Sequence, residues 1–467
     1  MERGEPLDAA RRAVLALACS AVCLAAQNPL DEASAAFREK RYRQAARVLR
    51  GAVRVNPADP HLHNFLGTVY YLEGNLEAAL KAWNQAGKPL IAGIAADPPP
   101  RTDPVLFDRV FTFAAGDVLR WQALRATDAR LAALDVFPRR TFRLDARPDG
   151  RFDLVLSARE RNGWQWLPAL RGVVYQAVHP EYFNIGGQAR NVTSMLRWDP
   201  QKRRAWVSFA GPWRGAPRYR YEVAFDGRDE RWEFPSAEAF RLRRTAVRAM
   251  FSQAGGGWRW SSGGEFSHRE YSSVSGHQLK HVLAVDRTLH RAPEHAFETG
   301  VHLSAETGRF WQGGSGGVFE RVQAAASLGW GSFSARLGAG GVAGRIPFDE
   351  QFILGLERDN DLLMRAHIGT RDGRKGSAPM GRRYGLANFE YDKVLYGNGL
   401  LRVSLGPFLD TGTIDKDRQR WGPRRWLWDT GLQAKLSVAG VGFTAVYGKD
   451  LRSGNNAFYL MATRFTR

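Results

Sequence analysis

Cysteine is almost absent from this chain: only two of its 467 residues are cysteine, Cys19 and Cys23. Both lie in the first 26 residues, so removal of that segment would leave a mature chain without any thiol. That would exclude disulfides, thiolate metal sites and cysteine nucleophiles together. A chain without thiols is suited to an oxidising compartment such as the periplasm.

Long apolar runs are also scarce, and the one near the N-terminus is short. Arg11 and Arg12 precede AVLALACSAVCLAA, which stops at Gln27. A basic start, a short apolar run and small residues at its end are typical of a secretory signal peptide, here residues 1–26. The run is too short to span a bilayer. An exported chain without a membrane helix fits an outer-membrane location, with its N-terminal domains in the periplasm.

Acidic residues are in the minority, 47 against 67 Lys and Arg, which gives a net charge of +20. A nucleic-acid-binding protein usually concentrates its positive charge on one helix or tail. Here the basic residues are scattered singly between apolar ones, so we expect no nucleic-acid partner. Anionic head groups, those of outer-membrane lipids and lipopolysaccharide, are the better-fitting partners of an exported basic chain.

Motifs of catalysis and cofactor binding are weak. GAGGVAG (Gly338–Gly344) contains a Gly-x-Gly-x-x-Ala match, but no helix follows it to hold a pyrophosphate. The ten histidines are dispersed, and no His-Glu-x-x-His occurs. We therefore expect no enzyme, no catalytic residue, no metal site and no cofactor.

The first mature segment, residues 29–94, has apolar residues at helical spacing. Ala45, Leu49 and Ala52 recur as Ala79, Trp83 and Ala86, an offset of 34 residues that is the tetratricopeptide period. Two interpretations stay open. The helices present a surface to a periplasmic partner, with Tyr70, Tyr71 and Trp83 as candidate contacts, or they are a spacer.

A Pro-rich break, ADPPPRTDP (Ala96–Pro104), separates this segment from a second one, residues 105–162. The residues from Arg109 to Leu119 suggest a strand and a helix start, and those from Leu119 to Phe137 two short helices. A hairpin turned at Pro148-Asp149-Gly150 comes next. This β-α-α-β-β order resembles a POTRA domain, which implies a sheet edge that receives client strands by β-augmentation. Alternatively, the segment is only a structural support for the C-terminal part of the chain.

The remaining residues, 168–467, alternate with a period of two. Phe297, Thr299, Val301, Leu303 and Ala305, for example, alternate with polar or small residues. A soluble sandwich would also alternate, but runs of about ten residues with Trp and Tyr at their ends favour a transmembrane β-barrel. We predict a mainly β chain with about sixteen antiparallel strands, preceded by a small α+β domain and an all-α segment.

The stretch LLMRAHIG (Leu362–Gly369) places an arginine inside an apolar run. As a barrel strand it would turn Met364, Ala366 and Ile368 toward lipid and Arg365 into the lumen. An arginine in a confined lumen needs a carboxylate partner, and Glu390 and Asp410 are the candidates on later strands.

Five phrases together resemble the BamA-type surface-antigen superfamily of outer-membrane barrels. They are PFDEQFILG (Pro347–Gly355), Met364-Arg365, Asn388-Phe389-Glu390, Phe408-Leu409-Asp410-Thr411-Gly412 and YGKDLRSGNNAFY (Tyr447–Tyr459). The resemblance implies a loop that folds back into the barrel and pairs its arginine with acidic residues of the next strands. Arg365, Glu390 and Asp410 match those positions. Ala366 and His367 depart from the family, which has Gly and an aromatic residue there.

The resemblance also implies a function: the barrel assists assembly, insertion or translocation of unfolded or periplasmic client proteins at the outer membrane, without a nucleotide. A single POTRA-like domain favours an accessory role over that of the central insertase. The alternative is a passive structural or binding barrel, porin-like, whose helical segment docks a partner.

Overall fold

The computed structural model describes residues 29–234, 238–271, 274–357, 360–398, 401–415, 426–438 and 441–464. The predicted signal peptide lies outside the described residues. Contacts divide the chain into two units, and each is described by itself. The first comprises residues up to 93 with 115–121 and 144–154, and the second comprises 94–114, 122–143 and everything from 155 onward.

The first unit contains four helices in two antiparallel pairs: α1 (Pro29–Arg38), α2 (Tyr42–Val55), α3 (Pro60–Leu72) and α4 (Leu76–Trp83). Asp59 caps α3 by accepting from the His61 amide at 2.8 Å, with Pro60 in the first turn. Asn75 caps α4 by accepting from the Ala78 amide at 3.1 Å. These caps satisfy backbone donors that have no partner within the helix.

The candidate partner contacts of this unit turn out to be part of its core. Tyr70 and Trp83 are buried, and the indole of Trp83 packs on Gly67 while its N–H donates to the Asn64 carbonyl at 3.1 Å. The hydroxyl of Tyr71 donates to the carbonyl of Leu144 at 2.5 Å. The prediction that these rings present a partner surface is therefore wrong for Tyr70 and Trp83, because the repeat uses its aromatic residues to fill the space between helices.

The α+β segment has the predicted β-α-α-β-β order and the hairpin lies where it was predicted, but the first strand and the first helix lie elsewhere. They are β1 (Ile91–Ala96), α5 (Pro104–Asp108), α6 (Trp121–Leu134), β2 (Arg139–Ala146) and β3 (Phe152–Arg159), with sheet order β1-β3-β2. The first strand precedes the Pro-rich break, and residues 109–113, expected to be a strand, form turns instead. There the Thr112 hydroxyl donates to the Ala123 carbonyl at 2.8 Å, which ties this stretch to the first turn of α6.

In the described residues, the rest of the second unit forms one system of twenty strands, antiparallel except for a parallel bridge between Lys375 and Trp232. Four of these strands are only two residues long. The remaining sixteen confirm the predicted strand number and the mainly β class. The strands are β4 (Gly163–Trp164), β5 (Ala177–Val178), β6 (Glu181–Ile185), β7 (Arg190–Asp199), β8 (Lys202–Trp213), β9 (Ala216–Trp232), β10 (Phe240–Gly255), β11 (Trp258–Tyr271), β12 (Val274–Ala292), β13 (Phe297–Gln312), β14 (Ser315–Trp330), β15 (Phe333–Gly344), β17 (Thr370–Arg371), β18 (Arg374–Lys375), β20 (Arg383–Tyr391), β21 (Lys393–Gly397), β22 (Leu401–Asp415), β23 (Leu427–Val438), β24 (Val441–Asp450) and β25 (Asn456–Arg464).

Each long strand pairs with its neighbour in sequence, except that β15 pairs directly with β20, and β20 with β22. The strand order places β25 beside the first short strands. The strands on the far side of this junction are short, two to five residues each. The hydroxyl of Tyr175 donates to the carbonyl of Leu460 here. This junction, between β25 and residues 163–185, is called the seam below.

The barrel inverts the usual partition of apolar and charged side chains. On β12, Leu279 is 54% exposed, whereas its neighbours Gln278 and Lys280 are 0% and 8% exposed. On β23, Leu432 is 54% exposed and Gln433 2%. The alternation therefore directs apolar side chains outward and polar ones into the lumen.

Exposed tryptophans mark the two ends of the barrel. Because the strands alternate in direction, Trp213, Trp258 and Trp330 lie at one end, and Trp198 and Trp428 at the other. The first end also contacts the α+β segment, since Arg109 donates to the carbonyl of Gly215 at 3.3 Å. In the described residues, no helix is both long enough and apolar enough to cross a membrane.

The residues between β15 and β20, 345–382, fold back into the lumen and are called the lumen loop. It contains a two-stranded sheet of β16 (Phe352–Ile353) and β19 (Met380–Gly381). Leu362 to Gly369 is not a barrel strand, contrary to the prediction. Met364 and Ala366 are buried rather than turned to lipid, because Met364 packs into a cluster with Phe352, Leu354, Leu362, Tyr384 and Leu386.

We expect the packing of the first unit to depend on the missing side chain of Gly67. A Cβ at this position would lie 2.3 Å from Cδ1 of Trp83. Nothing lies within 4 Å of a Cβ at Gly51, an exposed residue of α2. Gly67→Val should therefore be less stable than Gly51→Val by about 1–3 kcal/mol, the cost of overpacking. Thermal unfolding of the full chain, followed by far-ultraviolet circular dichroism, measures the difference. Equal midpoints would contradict the packing, since both variants add the same side chain to a helix.

Candidate functional site

The centre of the lumen loop is Arg365, which is 2% exposed. Its guanidinium binds Asp410 with two donors, Nε to Oδ2 at 2.8 Å and Nη2 to Oδ1 at 2.5 Å. The third nitrogen, Nη1, donates to Glu390 Oε1 at 2.7 Å and to Gln433 Oε1 at 2.9 Å. The structure thus brings the three predicted residues together, and the bidentate fork is a geometry that lysine cannot reproduce.

The carboxylates around Arg365 are themselves held in place. The side-chain Nδ2 of Asn388 donates to Asp410 Oδ1 at 2.7 Å, and Lys435 Nζ lies 2.8 Å from Glu390 Oε2. The guanidinium carbon of Arg365 lies 4.0 Å from the centre of the Phe408 ring. Such a network satisfies nearly every polar group around a buried charge, which is what makes its burial tolerable.

The backbone of the loop is drawn to the wall by side chains rather than by another strand. The amide of Arg365 donates to Asp410 Oδ2 at 3.0 Å, and the amide of Ala366 to Asp429 Oδ2 at 2.7 Å. Gly355 allows the close approach of the loop to itself, since a Cβ there would lie 2.6 Å from the carbonyl oxygen of His367. This is the physical reason that Leu362–Gly369 does not extend into a strand.

His367, the residue at which the chain departs from the family, contacts two further carboxylates. Its Nδ1 lies 3.1 Å from Asp429 Oδ2, and its Nε2 lies 3.7 Å from Asp450 Oδ2. Burial lowers the pKa of His367, but the hydrogen bond to Asp429 and the charges of both carboxylates outweigh it, so the pKa is raised above its ordinary value.

A second attachment lies at the start of the lumen loop, on Asp349 and Glu350. Arg269 Nε is 3.0 Å from both oxygens of Asp349, and Lys280 Nζ is 2.8 Å from Glu350 Oε2. Arg269 and Arg244 also donate to Glu350. Burial would raise the pKa of Glu350, but its cationic neighbours hold it well below the usual range.

An aromatic cluster reinforces the second attachment. Phe348 packs edge-on against Trp232 and Phe240, with ring centres 5.1 and 5.3 Å apart, and it also contacts Tyr271 at 5.3 Å. The lumen loop is therefore fastened to β9–β12 at one end and to β20–β24 at the other. It crosses the interior between two walls of the barrel.

A third set of contacts holds the later part of the loop. Lys375 Nζ lies 2.8 Å from Glu230 Oε1 on β9, and Lys202 Nζ on β8 lies 3.6 Å from Glu357 Oε1. Lys202 also donates to the hydroxyl of Thr370 at 3.0 Å. All four charged side chains are buried, so these pairs fix the loop on the strands that precede β10.

Sequence reasoning found Arg365, Glu390 and Asp410 but missed most of the residues around them. Asn388 and Phe408 stand in the family phrases, which mark their positions but not their contacts with Arg365, and Gln433 carries no sequence signal other than its position on a barrel strand. Asp349 and Glu350 stand in the family phrase PFDEQFILG, which could have marked them as loop anchors. Their partners Arg269 and Lys280 look like ordinary members of an alternating strand.

One formal catalytic match in the sequence is a hairpin turn. Gly313 to Gly317 fits the Gly-x-Ser-x-Gly pattern, but Gly313 and Gly314 form the turn between β13 and β14, where a nucleophile would need a strand followed by a helix. The hydroxyl of Ser315 donates to the Gln312 carbonyl at 3.1 Å and accepts from Arg345 at 2.6 Å. The geometry gives this serine a role in the turn.

We expect Arg365→Ala to destabilise the barrel by about 3 kcal/mol, because it leaves the buried Asp410 without its partner. Arg365→Lys should recover little of this loss, since an ammonium cannot form the fork. Arg371→Ala, at an exposed arginine of the same loop, is the control. Urea midpoints of refolded protein in one lipid would measure all three. Should Arg365→Ala match Arg371→Ala, Arg365 would be an ordinary solvated residue.

We also expect the two attachments of the loop to be coupled. Glu350→Gln alone should cost stability, because its cationic neighbours lose a buried countercharge, whereas Asp361→Asn, exposed in the same loop, should not. Once Arg365→Ala has released one end, Glu350→Gln should cost less than it does alone, by more than about 0.5 kcal/mol. A double-mutant cycle of urea midpoints gives this difference. Strict additivity would show that the ends are held independently.

The helical segment matches a known repeat family, and most of the chain is similar in fold to solved structures. The tetratricopeptide repeat family matches residues 30–95, which confirms the predicted repeats. No curated protein matches the chain by sequence. Among solved structures, CdiB from Escherichia coli is similar with a TM-score of 0.51 and 14% identity, over 80% of this chain and 75% of that chain.

Two other solved structures are similar over comparable lengths. CdiB from Acinetobacter baumannii has a TM-score of 0.48 and 13% identity, over 80% of this chain and 74% of that chain. BamA from Haemophilus ducreyi, lacking POTRA domains 1–3, has a TM-score of 0.47 and 10% identity, over 81% and 85%. The likeness to CdiB from Escherichia coli shows a shared fold, so the predicted resemblance to BamA-type barrels is confirmed at the level of the fold.

Proposed function

We propose that this chain is an outer-membrane barrel that assists assembly, insertion or translocation of client proteins, without a nucleotide. The observation that carries the proposal is the inverted partition of the barrel, whose exposed face is apolar and whose lumen is charged. An apolar outer face is stable in lipid, and pairing between the long strands satisfies their backbone groups there. Outer-membrane lipids and lipopolysaccharide are the surroundings this surface fits.

The exposed tryptophans at the two ends of the barrel support an orientation of the barrel in the membrane. Trp213, Trp258 and Trp330 at one end, and Trp198 and Trp428 at the other, are where interfacial aromatic belts would lie. The first belt lies at the end that contacts the α+β segment. We infer that this end faces the periplasm, so the helical and α+β segments are periplasmic. The lumen loop then enters from the outer end.

The client role rests on the lumen loop and the seam. The loop fills the interior and is fastened by buried ion pairs, which does not suit a wide diffusion pore. The seam, in contrast, joins β25 to strands of only two to five residues, so few backbone hydrogen bonds would have to break before its strand edges pair with an incoming chain. The POTRA-like sheet offers a further edge for clients, and the tetratricopeptide-like helices a site for a periplasmic partner.

We expect the protein to fractionate with outer membranes and to migrate faster on gels unless it is boiled, as folded barrels do. Depletion should lower the outer-membrane level of one client or a small set, and Arg365→Ala should restore that level less well than Arg371→Ala. Quantitative proteomics of isolated outer membranes measures this. If the protein is in the outer membrane but its depletion alters the level of no other protein, the passive, porin-like alternative is favoured. If the protein is found in the periplasm and shows no mobility shift on heating, both the assembly role and the porin-like role are excluded.

A further inference from the structure

Three side chains from separate segments converge beside Arg365. His367 belongs to the lumen loop, Asp429 to β23 and Asp450 to β24, and one ligand atom of each lies within 4.8 Å of the other two. Imidazole and carboxylate donors together suit Zn²⁺ and related divalent transition-metal ions. The sequence contains no sign of such a site, because the two carboxylates lie 62 and 83 residues beyond the histidine.

Asp429 supplies an independent reason to expect a ligand. It is 0% exposed, and its Oδ2 accepts the Ala366 amide and faces His367. Its Oδ1 is buried and has no hydrogen-bond partner among the described residues. A buried carboxylate oxygen left without a partner is costly, so an unpaired one in a finished fold calls for an unseen partner.

A second buried polar atom near Asp429 also lacks a hydrogen-bond partner among the described residues. The hydroxyl of Tyr459 on β25 is buried without a partner in the described part of the chain, and it is close enough to Asp429 for the carboxylate charge to act on it. An ion with a bound water molecule would provide partners for both atoms. Zinc with three protein ligands commonly keeps such a water in its fourth position.

The charge balance of this wall also favours a cation. Near His367, the carboxylates outnumber the cations that form ion pairs with them. Arg371 is a further cation, and its charge acts on His367 together with those of Asp429 and Asp450. The carboxylates are Glu390, Asp392, Asp410, Asp429 and Asp450, and the cations are Arg365 and Lys435. A divalent ion would offset this excess of negative charge.

We propose that His367, Asp429 and Asp450 bind one divalent transition-metal ion, which fastens the lumen loop to β23 and β24. A single ion binds only one ring nitrogen of a histidine, and one nitrogen of His367 and one oxygen of each carboxylate lie within 4.8 Å of one another. Small side-chain rotations would bring these three atoms to the separation of about 3.3–3.6 Å expected for neighbouring ligands at zinc bond lengths. The ion would take the place of a proton on the imidazole, since a ligating histidine must be neutral. The family's aromatic residue at this position could not supply an imidazole nitrogen.

Untagged full-length protein, purified in detergent with a chelator and then dialysed, tests the proposal at mildly alkaline pH. We expect about one Zn²⁺ to remain per chain after gel filtration, and the urea midpoint to rise with Zn²⁺ but not with equal Mg²⁺. His367→Asn and Asp450→Asn should each weaken Zn²⁺ binding at least 10-fold, since even the loss of an indirect partner costs about 10–100-fold. His302→Asn removes another histidine–carboxylate pair, with Asp286 at 2.8 Å, and should change nothing.

The unmodified protein provides a test that needs no variant to fold. Co²⁺ bound to nitrogen and oxygen donors gives visible absorption bands, and Zn²⁺ should abolish them at one equivalent. Stoichiometric Zn²⁺ retention, with Co²⁺ bands lost on Zn²⁺ addition, would support the site. Lack of retained metal, or retention that His367→Asn leaves unchanged, would overturn it and leave His367 as a hydrogen-bonded side chain only. Neither result depends on the client role proposed above.

Discussion

The structure of the barrel interior depends on the burial of one guanidinium. Arg365 is held by three strands of one wall, by Asp410 with both arms of its fork and by Glu390 and Gln433 with the third nitrogen. A single charge without these acceptors would be expelled to water. Because the acceptors stand on β20, β22 and β23, the arginine can be satisfied only when these strands are in register and the loop is inside. Folding of the loop and assembly of the wall are thus one event.

The same constraint explains the unusual distribution of charge along the chain. In a soluble protein, arginines and lysines scattered singly through apolar segments would have no common direction. In this barrel, alternate positions face the lumen, and there the basic residues meet the carboxylates of neighbouring strands and of the lumen loop. Lys280, for example, contacts Glu306 from the next strand and Glu350 from the loop. The scatter of basic residues along the chain is therefore a consequence of the topology.

Periodicity and spacing were sufficient for the parts that are locally encoded. The 34-residue offset predicted the helical repeat, and the alternation of Leu279 with Lys280 or Leu432 with Gln433 is the pattern of a strand with one face in lipid. The order of elements in the α+β segment also followed from local signals. The family phrases led to Arg365 and its two carboxylates.

What sequence could not predict arises from contacts between distant residues. Tyr70 and Trp83 are buried in the helical core, and Trp83 occupies a space left by Gly67 that only the packed helices reveal. Leu362–Gly369 has the alternation of a strand, yet the side chains of Asp410 and Asp429 capture its amides before a neighbouring strand can. Residues 109–113 are drawn into turns by Thr112. In each case a partner far along the chain outweighs the local preference.

The double fastening of the lumen loop has a mechanical consequence for the barrel. A segment tied to β8–β12 on one side and to β20–β24 on the other acts as a cross-brace, so those two walls cannot separate without stretching it. Widening of the barrel that spares these ion pairs must occur in strands that the brace does not hold. The seam between β25 and residues 163–185 is such a place, and its strands within residues 163–185 are only two to five residues long.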